Sequence, residues 1–385
     1  MKLTPSTRAL LLVLLSSSAL SGCAGSTNIR RPEPPRAVAS LTLDGQFSIA
    51  PLGRYPPITG LPFGGISALA PAGDGTEIFG LSDARRGGRI YRFFVEGTGG
   101  SMKVTTTAVI SLELGPRGLS TDHEGLVILP NGNFLVCSEG TTDEPRLPPI
   151  LEEFGRRGEF VRSLAVPQHF VPEATGGLTR GARGNAGFEA LAISPDGKRV
   201  FVGTESALVQ DGPPASFDAG ARVRIIEYEE RDESHAPARE FAYDLEPVFK
   251  PAYQPGTAVN GLVDLLALDR TTLLALERSF VADPADPAAS ANRIRIYRVT
   301  LAGATNIAGL ESLKGRTEVV PVSKTLLLDL ADVAGLSPDL APTLDNFEGM
   351  AFGPRLPDGR ASLMLVSDDN FSAAQRTWFL MFAIQ

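Results

Sequence analysis

A repeated unit is the feature that most constrains the fold of this chain. Each copy has an acidic or polar residue, a short apolar run, a turn, a second apolar run and a closing polar or acidic cluster. The clearest copy runs from Glu189 to Glu205 and turns at Pro195-Asp196-Gly197, where Pro presets φ and Gly accepts a positive φ. The other copies are Ser67–Asp83, Glu124–Glu139, Asp264–Glu277 and Glu348–Asp369. Such repetition predicts an architecture of stacked or radially arranged units.

Each unit is predicted to be a β-hairpin, because two short apolar runs flank a turn. Third strands are predicted at 89–94, 150–154, 222–228, 293–299 and 377–382. Fourth strands are predicted at 105–112, 159–166, 240–245 and 319–328. Repeated four-stranded antiparallel units are typical of an all-β fold, the β-propeller. The units lie farther apart than the roughly 40–45 residues of a WD40 blade, so the loops carry insertions.

The last unit reaches the end of the chain at Gln385 after only three predicted strands. Residues 37–49 are predicted to form one or two strands that have no blade of their own. We therefore expect the N-terminal strand to complete the last blade and close the ring, which removes an exposed sheet edge. Five blades are predicted, and a degenerate sixth within a long connection is the alternative.

The N-terminal segment has the features of an export signal. Lys2 and Arg8 precede an apolar run at 9–19, which is too short to span a bilayer. The following Leu20-Ser21-Gly22-Cys23 resembles a bacterial lipobox, so residues 1–22 are predicted to be a lipoprotein signal peptide and Cys23 the lipidated residue; an ordinary signal peptide cut near Ala24 is the alternative. Residues 23–36 are predicted to be a tether, and 37–385 the propeller domain.

Composition limits the environment and the partners. The export signal predicts a periplasmic, lipid-anchored protein, and Ala24 favours the outer membrane because Asp after the lipidated Cys is the usual inner-membrane retention signal in enteric bacteria. The second cysteine, Cys137, is expected to be a buried apolar residue without a disulfide partner. Removal of residues 1–22, which carry two positive and no negative charges, lowers the net charge from −8 to −10. That charge argues against nucleic-acid binding, and we expect a monomer.

Acidic residues recur where the first strand of each unit begins and where the second strand ends. These two points lie at the same end of an antiparallel hairpin, so the acids should converge at one mouth of the propeller channel. Ser67 and Asp264 are expected to take part in these pairs. The predicted metal ligands are Asp83, Glu124, Glu139, Glu189, Glu205, Glu277, Glu348, Asp368 and Asp369. Carboxylate oxygens suit Ca²⁺ or Mg²⁺, and Ca²⁺ is the predicted cofactor.

Three alternatives to metal binding remain for these acids, and the first is that neighbouring carboxylates share protons. Arg85 and Arg86 follow Asp83 and Arg278 follows Glu277, so acid–Arg networks are compatible with the same pattern. Acids at blade starts also cap backbone amides or join neighbouring blades. Arg85, Arg278 and Asn370 are the predicted substrate-binding residues; no catalytic residue is assigned.

Other catalytic patterns are missing from the sequence. The chain has no Gly-x-Ser-x-Gly elbow, no His/Cys zinc spacing and no P-loop. Three histidines, His123, His169 and His235, occupy non-corresponding positions, and a solvated loop is favoured for His123. Metal-assisted hydrolysis is compatible with the acidic face, since a bound ion polarises an ester oxygen and activates water.

Five motifs occur in order along the chain: Asp122-His-Glu-Gly125, Asn185-Ala-Gly-Phe-Glu-Ala-Leu191, Leu274-Ala-Leu-Glu-Arg-Ser-Phe280, Asp345-Asn-Phe-Glu-Gly-Met350 and Leu365-Val-Ser-Asp-Asp-Asn-Phe371. Together they resemble the phytase-like domain family, also described as having esterase-like activity of phytase. The match covers about residues 60–385, and its weakest stretch is 261–264. This resemblance implies a secreted or periplasmic propeller that hydrolyses phosphate or other esters.

Three hypotheses about function follow from the sequence. The first is a Ca²⁺-dependent phosphoesterase or esterase that acts on a small-molecule substrate at the acidic face. The second is a metal-dependent lactonase. The third belongs to another class: an anchored, non-catalytic propeller that binds a ligand or a protein and uses calcium only for stability.

Overall fold

The computed structural model describes residues 32–35, 37–50, 62–85, 87–113, 122–232, 234–341 and 343–385. These residues form twenty strands in five four-stranded antiparallel sheets. The prediction of a five-bladed all-β propeller is therefore confirmed. The predicted signal peptide and Cys23 lie outside the described residues, and so does most of the predicted tether. Within the described ranges, no helix has the length and apolar character needed to cross a membrane.

The first three blades follow the chain in order, with the innermost strand first. Blade 1 contains β2 (Ile66–Ala72), β3 (Glu77–Ser82), β4 (Arg89–Glu96) and β5 (Lys103–Ser111). Blade 2 contains β6 (His123–Ile128), β7 (Phe134–Ser138), β8 (Ile150–Phe154) and β9 (Phe160–Ser163). Blade 3 contains β10 (Phe188–Ile193), β11 (Arg199–Thr204), β12 (Arg222–Arg231) and β13 (Ser234–Asp244).

The last two blades follow the same order, except that the outermost strand of blade 5 comes from the N-terminal part of the chain. Blade 4 contains β14 (Ala258–Ala267), β15 (Thr272–Val281), β16 (Ala291–Thr300) and β17 (Ser323–Asp329). Blade 5 contains β18 (Asn346–Phe352), β19 (Ser362–Asp368), β20 (Thr377–Ile384) and β1 (Leu41–Ile49). The helical segments of the described residues are short 3₁₀ turns at Gly99–Ser101, Gln168–Phe170, Pro287–Ala289 and Leu330–Asp332.

Closure of the ring depends on the pairing of β1 with β20. The two strands are antiparallel and pair from Leu41 with Ile384 to Ile49 with Thr377. The pairing continues past the strands, since the Gln385 amide donates to the Ser40 carbonyl at 3.1 Å. The predicted closure by the N-terminal strand is consistent with this sheet, and blade 5 has the same four strands as the others.

The core lies between the blades. An apolar cluster fills the space between each pair of neighbouring blades in the described part of the chain. Cys137 lies in the cluster between blades 2 and 3, fully buried and without a disulfide partner. Packing of blade against blade therefore holds the five sheets in a fixed ring and sets the relative positions of their inner strands.

Every inner strand carries a β-bulge, which lies at the second or third residue of the strand in blades 1, 2, 3 and 5 and at the sixth residue in blade 4. The pairing register with the second strand shifts there by one residue, which leaves one extra residue on the inner strand. The five extra residues are Ser67, Glu124, Glu189, Val263 and Glu348. In the fourth unit the sequence placed Asp264 at this position. The structure places Val263 there, so that alignment was wrong by one residue.

The glycine after the bulge in blade 2 supplies a test of the packing between blades. A Cβ on Gly125 would lie 2.6 Å from Leu191 Cβ and 2.5 Å from Cys137 Sγ, closer than atoms pack. We expect Gly125→Ala to lower the free energy of unfolding by about 1–3 kcal/mol. Gly177→Ala is the control, because its Cβ would meet nothing within 4 Å. Urea denaturation measures both, and equal midpoints for the two variants would contradict the packing described here.

Candidate functional site

A wide cavity of about 760 Å³ opens at the end of the channel where the inner strands begin. Its walls come from the starts of the inner strands and the ends of the second strands. Eight acidic residues line it: Asp83, Asp122, Glu124, Glu139, Glu189, Glu205, Glu348 and Asp368. Seven of these were among the nine predicted ligands. Asp122 was missed, although it lies only two residues before Glu124 in the same motif.

Two positions that recur in the blades supply most of the acids that line the cavity. One is the bulged residue of the inner strand. The other lies at the end of the second strand. It comes directly after the residue that pairs with the last inner-strand residue before the bulge. In blades 1, 2, 3 and 5 this second position is held by Asp83, Glu139, Glu205 and Asp368.

Blade 4 differs from the others at both positions. Leu262 pairs with Glu277, so Arg278 occupies the position that is acidic in the other four blades. Val263 replaces the bulged Ser or Glu. The floor therefore has one cationic blade among four acidic blades.

Glu277, a predicted ligand, does not line this cavity. Its carboxylate accepts hydrogen bonds from the Tyr243 hydroxyl at 2.7 Å and from Lys324 Nζ at 2.6 Å. The Asn260 side chain and the Glu246 amide donate to its other oxygen, each at 3.1 Å. Successive strand residues face opposite sides, so the one-residue offset directs Glu277 between blades 3 and 4 and Arg278 into the cavity.

Two other predicted acids bind backbone amides between blades. Asp264 accepts from the amides of Leu265 at 2.8 Å and Met350 at 2.7 Å, which joins blades 4 and 5. Asp369 accepts from the Gly65 amide at 2.9 Å and is fully buried. For these acids the structure has the amide-capping arrangement that the sequence left open as an alternative to metal binding.

The acids that line the cavity include two groups in which carboxylate oxygens lie close together. Asp83, Asp122 and Glu124 form one triad; Glu139, Glu189 and Glu205 form the other. Within each triad one oxygen per residue lies within 4.8 Å of the others. Carboxylate oxygens at this separation fit a hard divalent cation such as Ca²⁺. In the described residues Asp83 Oδ1 is also buried without a hydrogen-bond partner, which leaves it available as a ligand atom.

Burial and mutual repulsion favour the protonated form of these acids. Desolvation, followed by the charges of Glu348, Asp122 and Asp369, raises the pKa of Asp83 to about 8. Burial and neighbouring carboxylates also raise the pKa values of other cavity acids well above their usual range. This set consists of Glu124, Glu139, Glu189 and Asp368. Bound cations, arginine partners and retained protons can each offset such a charge density.

Arg278 provides the cationic side chain of the cavity floor. Its Nη2 donates to Glu348 Oε1 at 2.8 Å and to Glu205 Oε1 at 3.4 Å. Burial opposes its charge, but the charges of Glu348, Glu205 and Glu189 outweigh that effect and raise the pKa of Arg278. Its Nε is buried without a partner among the described residues. Arg278 therefore connects blades 3, 4 and 5 and keeps one donor uncommitted.

The other two predicted substrate-binding residues lie at the rim. Arg85, whose side chain is 74% exposed, donates to Asp122 Oδ2 at 3.1 Å and to Asn185 Oδ1 at 2.7 Å. Asn370 lines the cavity and donates from Nδ2 to Gln375 Oε1 at 3.3 Å. Arg86, considered as an acid partner, lies outside the described residues.

His123 is not a solvated loop residue, as the sequence had indicated. It is the first residue of β6, is 7% exposed and packs edge-on against Phe154. Burial lowers the pKa of His123 to about 4, so its ring is neutral at neutral pH. It is not among the described residues that line the cavity.

Comparison with known families and proteins gives one strong match. A family model described as "Phytase-like: Esterase-like activity of phytase" matches residues 61–371. A protein of Arthroderma benhamiae described as an uncharacterized secreted protein is 29% identical over 136 residues, which cover 30% of this chain and 25% of that protein. This chain therefore matches about a quarter of that relative's length.

Two solved structures are weakly similar to this chain. The WD40 domain of Toxoplasma gondii coronin is 9% identical with a TM-score of 0.33, over 92% of this chain and 89% of that one. The periplasmic gluconolactonase of Pseudomonas aeruginosa is 13% identical with a TM-score of 0.34, over 90% of this chain and 96% of that one. At these scores neither likeness carries an argument about this chain.

The raised pKa values predict how stability depends on pH without metal. An acid with a raised folded-state pKa stabilises the fold below its unfolded pKa, and that contribution is lost as pH rises through the folded-state pKa. In EDTA we therefore expect the melting temperature to fall between about pH 7 and about pH 8.5, above the range in which unfolded histidines titrate. Added Ca²⁺ should raise it most at the higher pH, because the cation competes with protons. A melting temperature that is flat or rises with pH in EDTA contradicts this description of the cavity.

Proposed function

Because this chain belongs to the phytase-like family, described as having esterase-like activity of phytase, we propose that it is a metal-dependent hydrolase of phosphate or other esters. The observation that carries the proposal is the pair of carboxylate triads on the floor of an open cavity. A divalent cation such as Ca²⁺, when bound there, polarises an ester oxygen and lowers the pKa of a bound water.

The protein's own residues have distinct roles in this proposal. The Glu139, Glu189 and Glu205 triad holds a cation, and the Asp83, Asp122 and Glu124 triad holds a second. Cations held by the two triads would offset the negative charge of the ionised carboxylates, which otherwise repels a phosphoryl group. The small-molecule ester would then meet a floor whose negative charge is neutralised.

Arg278 is the protein group best placed to bind the anionic part of the ester. It lies on the cavity floor beside Glu205, and its Nε has no partner in the described structure. A buried guanidinium is worth more as a donor to developing negative charge than one in water. Arg85 at the exposed rim adds positive charge where a substrate enters.

The proposal predicts metal-dependent turnover that depends on a cavity carboxylate. Hydrolysis of p-nitrophenyl phosphate, phytate, p-nitrophenyl acetate and a lactone is measured with Ca²⁺ and with EDTA. We expect turnover of at least one ester, lost in EDTA, and a loss of about 100-fold or more in Glu189→Gln, because a ligand is removed. Glu96→Gln is the control, since Glu96 is exposed on blade 1.

The substitution should leave the fold intact, because Gln removes a charge that burial and Glu205 disfavour. No turnover of any ester in Ca²⁺ contradicts the hydrolase proposal. Opening of the lactone alone supports the lactonase alternative.

A non-catalytic propeller is the alternative, favoured by the Arg278 contacts that join blades 3, 4 and 5. In that case cations and Arg278 only stabilise the ring while the cavity binds a ligand. Glu189→Gln and Glu348→Gln then lower the melting temperature measured in Ca²⁺ and change no activity. In the hydrolase proposal the same substitutions abolish turnover.

We further propose that the protein is exported and anchored through a lipid on Cys23, in the outer membrane. The lipobox-like sequence supports this, and the partial relative described as secreted is compatible with export. Pro32 and Pro34 lie beside a small apolar cavity lined by the ends of the inner strands, opposite the acidic cavity. The anchor would then approach the propeller from that end, and the acidic cavity would face away from the membrane.

Replacement of the predicted lipidation site tests this localisation. Cys23→Ser should move the protein from the membrane fraction to the soluble fraction of a Gram-negative host, because the modified thiol is lost. Cys137→Ser, at the buried cysteine, is the control and should remain with the membrane. Equal partition of wild type and Cys23→Ser contradicts the anchor.

A further inference from the structure

We propose that blade 4 selects the substrate of the proposed hydrolase: Val259 and Phe280 form an apolar wall that binds an aryl or acyl group attached directly to the ester held at Arg278. This inference rests on the proposed function and adds the chemical class of the substrate. The preferred substrates are aryl phosphates and apolar esters, not polyhydroxylated phosphates.

The wall exists because the inner hairpin of blade 4 is longer than those of the other blades. β14 and β15 each have 10 residues. The corresponding pairs have 7 and 6 residues in blade 1, 6 and 5 in blade 2, 6 and 6 in blade 3, and 7 and 7 in blade 5. The additional residues of blade 4 continue the hairpin beyond the floor, where Ala258 still pairs with Val281.

The strand pleat directs two apolar side chains to the side of Arg278. Gly261 pairs with Arg278, and two residues further on Val259 pairs with Phe280. Residues two apart on a strand share a face, so Val259 and Phe280 lie on the cavity side, about 7 Å from the floor pair by strand rise. Both line the cavity, whereas the intervening Asn260 bonds to Glu277 outside it.

The wall is apolar surface that remains uncovered by the protein. Val259 is 37% exposed and Phe280 is half-buried. Neither belongs to the clusters that fill the spaces between the blades in the described structure. Apolar surface at the mouth of a polar cavity gains from contact with an apolar part of a ligand.

The wall also lies directly beside one carboxylate triad. A Cβ on Gly261 would overlap the side chain of Glu205, so the absence of a side chain lets blade 4 pack closely against that acid. If the phosphoryl or acyl centre of an ester lies beside Glu205 and Arg278, the group bonded directly to that centre contacts Val259 and Phe280. Hydroxyl groups placed there would lose water without gaining a hydrogen bond from Val259 or Phe280.

Other parts of the rim are polar, so the apolar contact is confined to one side. Amides and a guanidinium line the rim away from blade 4, at Arg85, Asn185, Asn346, Asn370 and Gln375, and one further amide, Asn292, lies on blade 4 beside Phe280. Phe371 also lines the cavity, but its ring already stacks against the buried Arg89 guanidinium at 5.6 Å. Phe280 is therefore the residue whose removal tests the inference.

Two phosphonates that cannot be hydrolysed test the wall without turnover. Titration calorimetry in Ca²⁺ compares phenylphosphonate with methylphosphonate on the wild-type protein. We expect phenylphosphonate to bind at least about 10-fold tighter, because its ring contacts the wall. Phe280→Ala should remove most of this preference and leave methylphosphonate binding unchanged. Phe94→Ala, which removes an exposed ring on blade 1, should keep the preference.

A milder substitution keeps the proposal testable if Phe280→Ala does not fold. Val259→Thr keeps the side-chain shape and adds a hydroxyl, so it should weaken phenylphosphonate alone by a few-fold. Equal affinity for the two phosphonates, or an equal loss of both in Phe280→Ala, overturns the wall while leaving the hydrolase proposal in place. If neither phosphonate binds, the proposed wall is also overturned. A preference that depends on Phe280, in a protein that hydrolyses no ester, supports the wall and overturns the hydrolase.

Discussion

Electrostatic repulsion within the acidic cavity is the constraint on which the rest of this molecule depends. The inner strands can converge only if the free energy of bringing eight acidic side chains together is offset elsewhere. The apolar clusters between neighbouring blades supply that offset, because each buries large side chains away from the cavity. Arg278 offsets part of the repulsion within the cavity, because its guanidinium pairs with Glu205 and Glu348. Closure by β1 keeps the ring from opening at blade 5.

Specialisation of the site arises where the five-fold repetition fails. In blades 1, 2, 3 and 5 the cavity position at the end of the second strand is an acid. In blade 4 the same position is Arg278. Blade 4 also has the longest inner hairpin and the exposed Val259. A symmetric ring of acids would bind cations without orienting an ester. Arg278, Val259 and Phe280 all lie on the blade 4 side of the cavity, so one side is cationic and apolar while the sides formed by the other blades are acidic.

Much of the fold was predictable from the sequence because turn chemistry and strand alternation are local. The one-residue error in blade 4 came from matching acid with acid. A hydroxyl residue precedes the cavity acid in the other blades, as in Ser82-Asp83 and Thr204-Glu205, and matching Glu277 to that hydroxyl residue would have identified Arg278. The burial of His123 and the amide-binding role of Asp264 depend on packing between blades, which local sequence does not encode. Phe280 was visible within a family motif, but only the strand register shows that it shares a face with Arg278.

The protonation state of the cavity acids depends on pH, and this dependence bears on the environment in which such a protein can work. Raised pKa values mean that the cavity holds protons when it holds no metal, and cation binding must release them. If the triads hold a cation as proposed, its affinity would increase with pH over the range in which Asp83, with its pKa of about 8, loses its proton. Protons would neutralise the metal-free form, and a metal-bound form would be favoured in neutral to alkaline solution that is rich in Ca²⁺. A compartment outside the cytoplasm commonly meets the second condition, so the electrostatics of the cavity and the proposed export point to the same working environment.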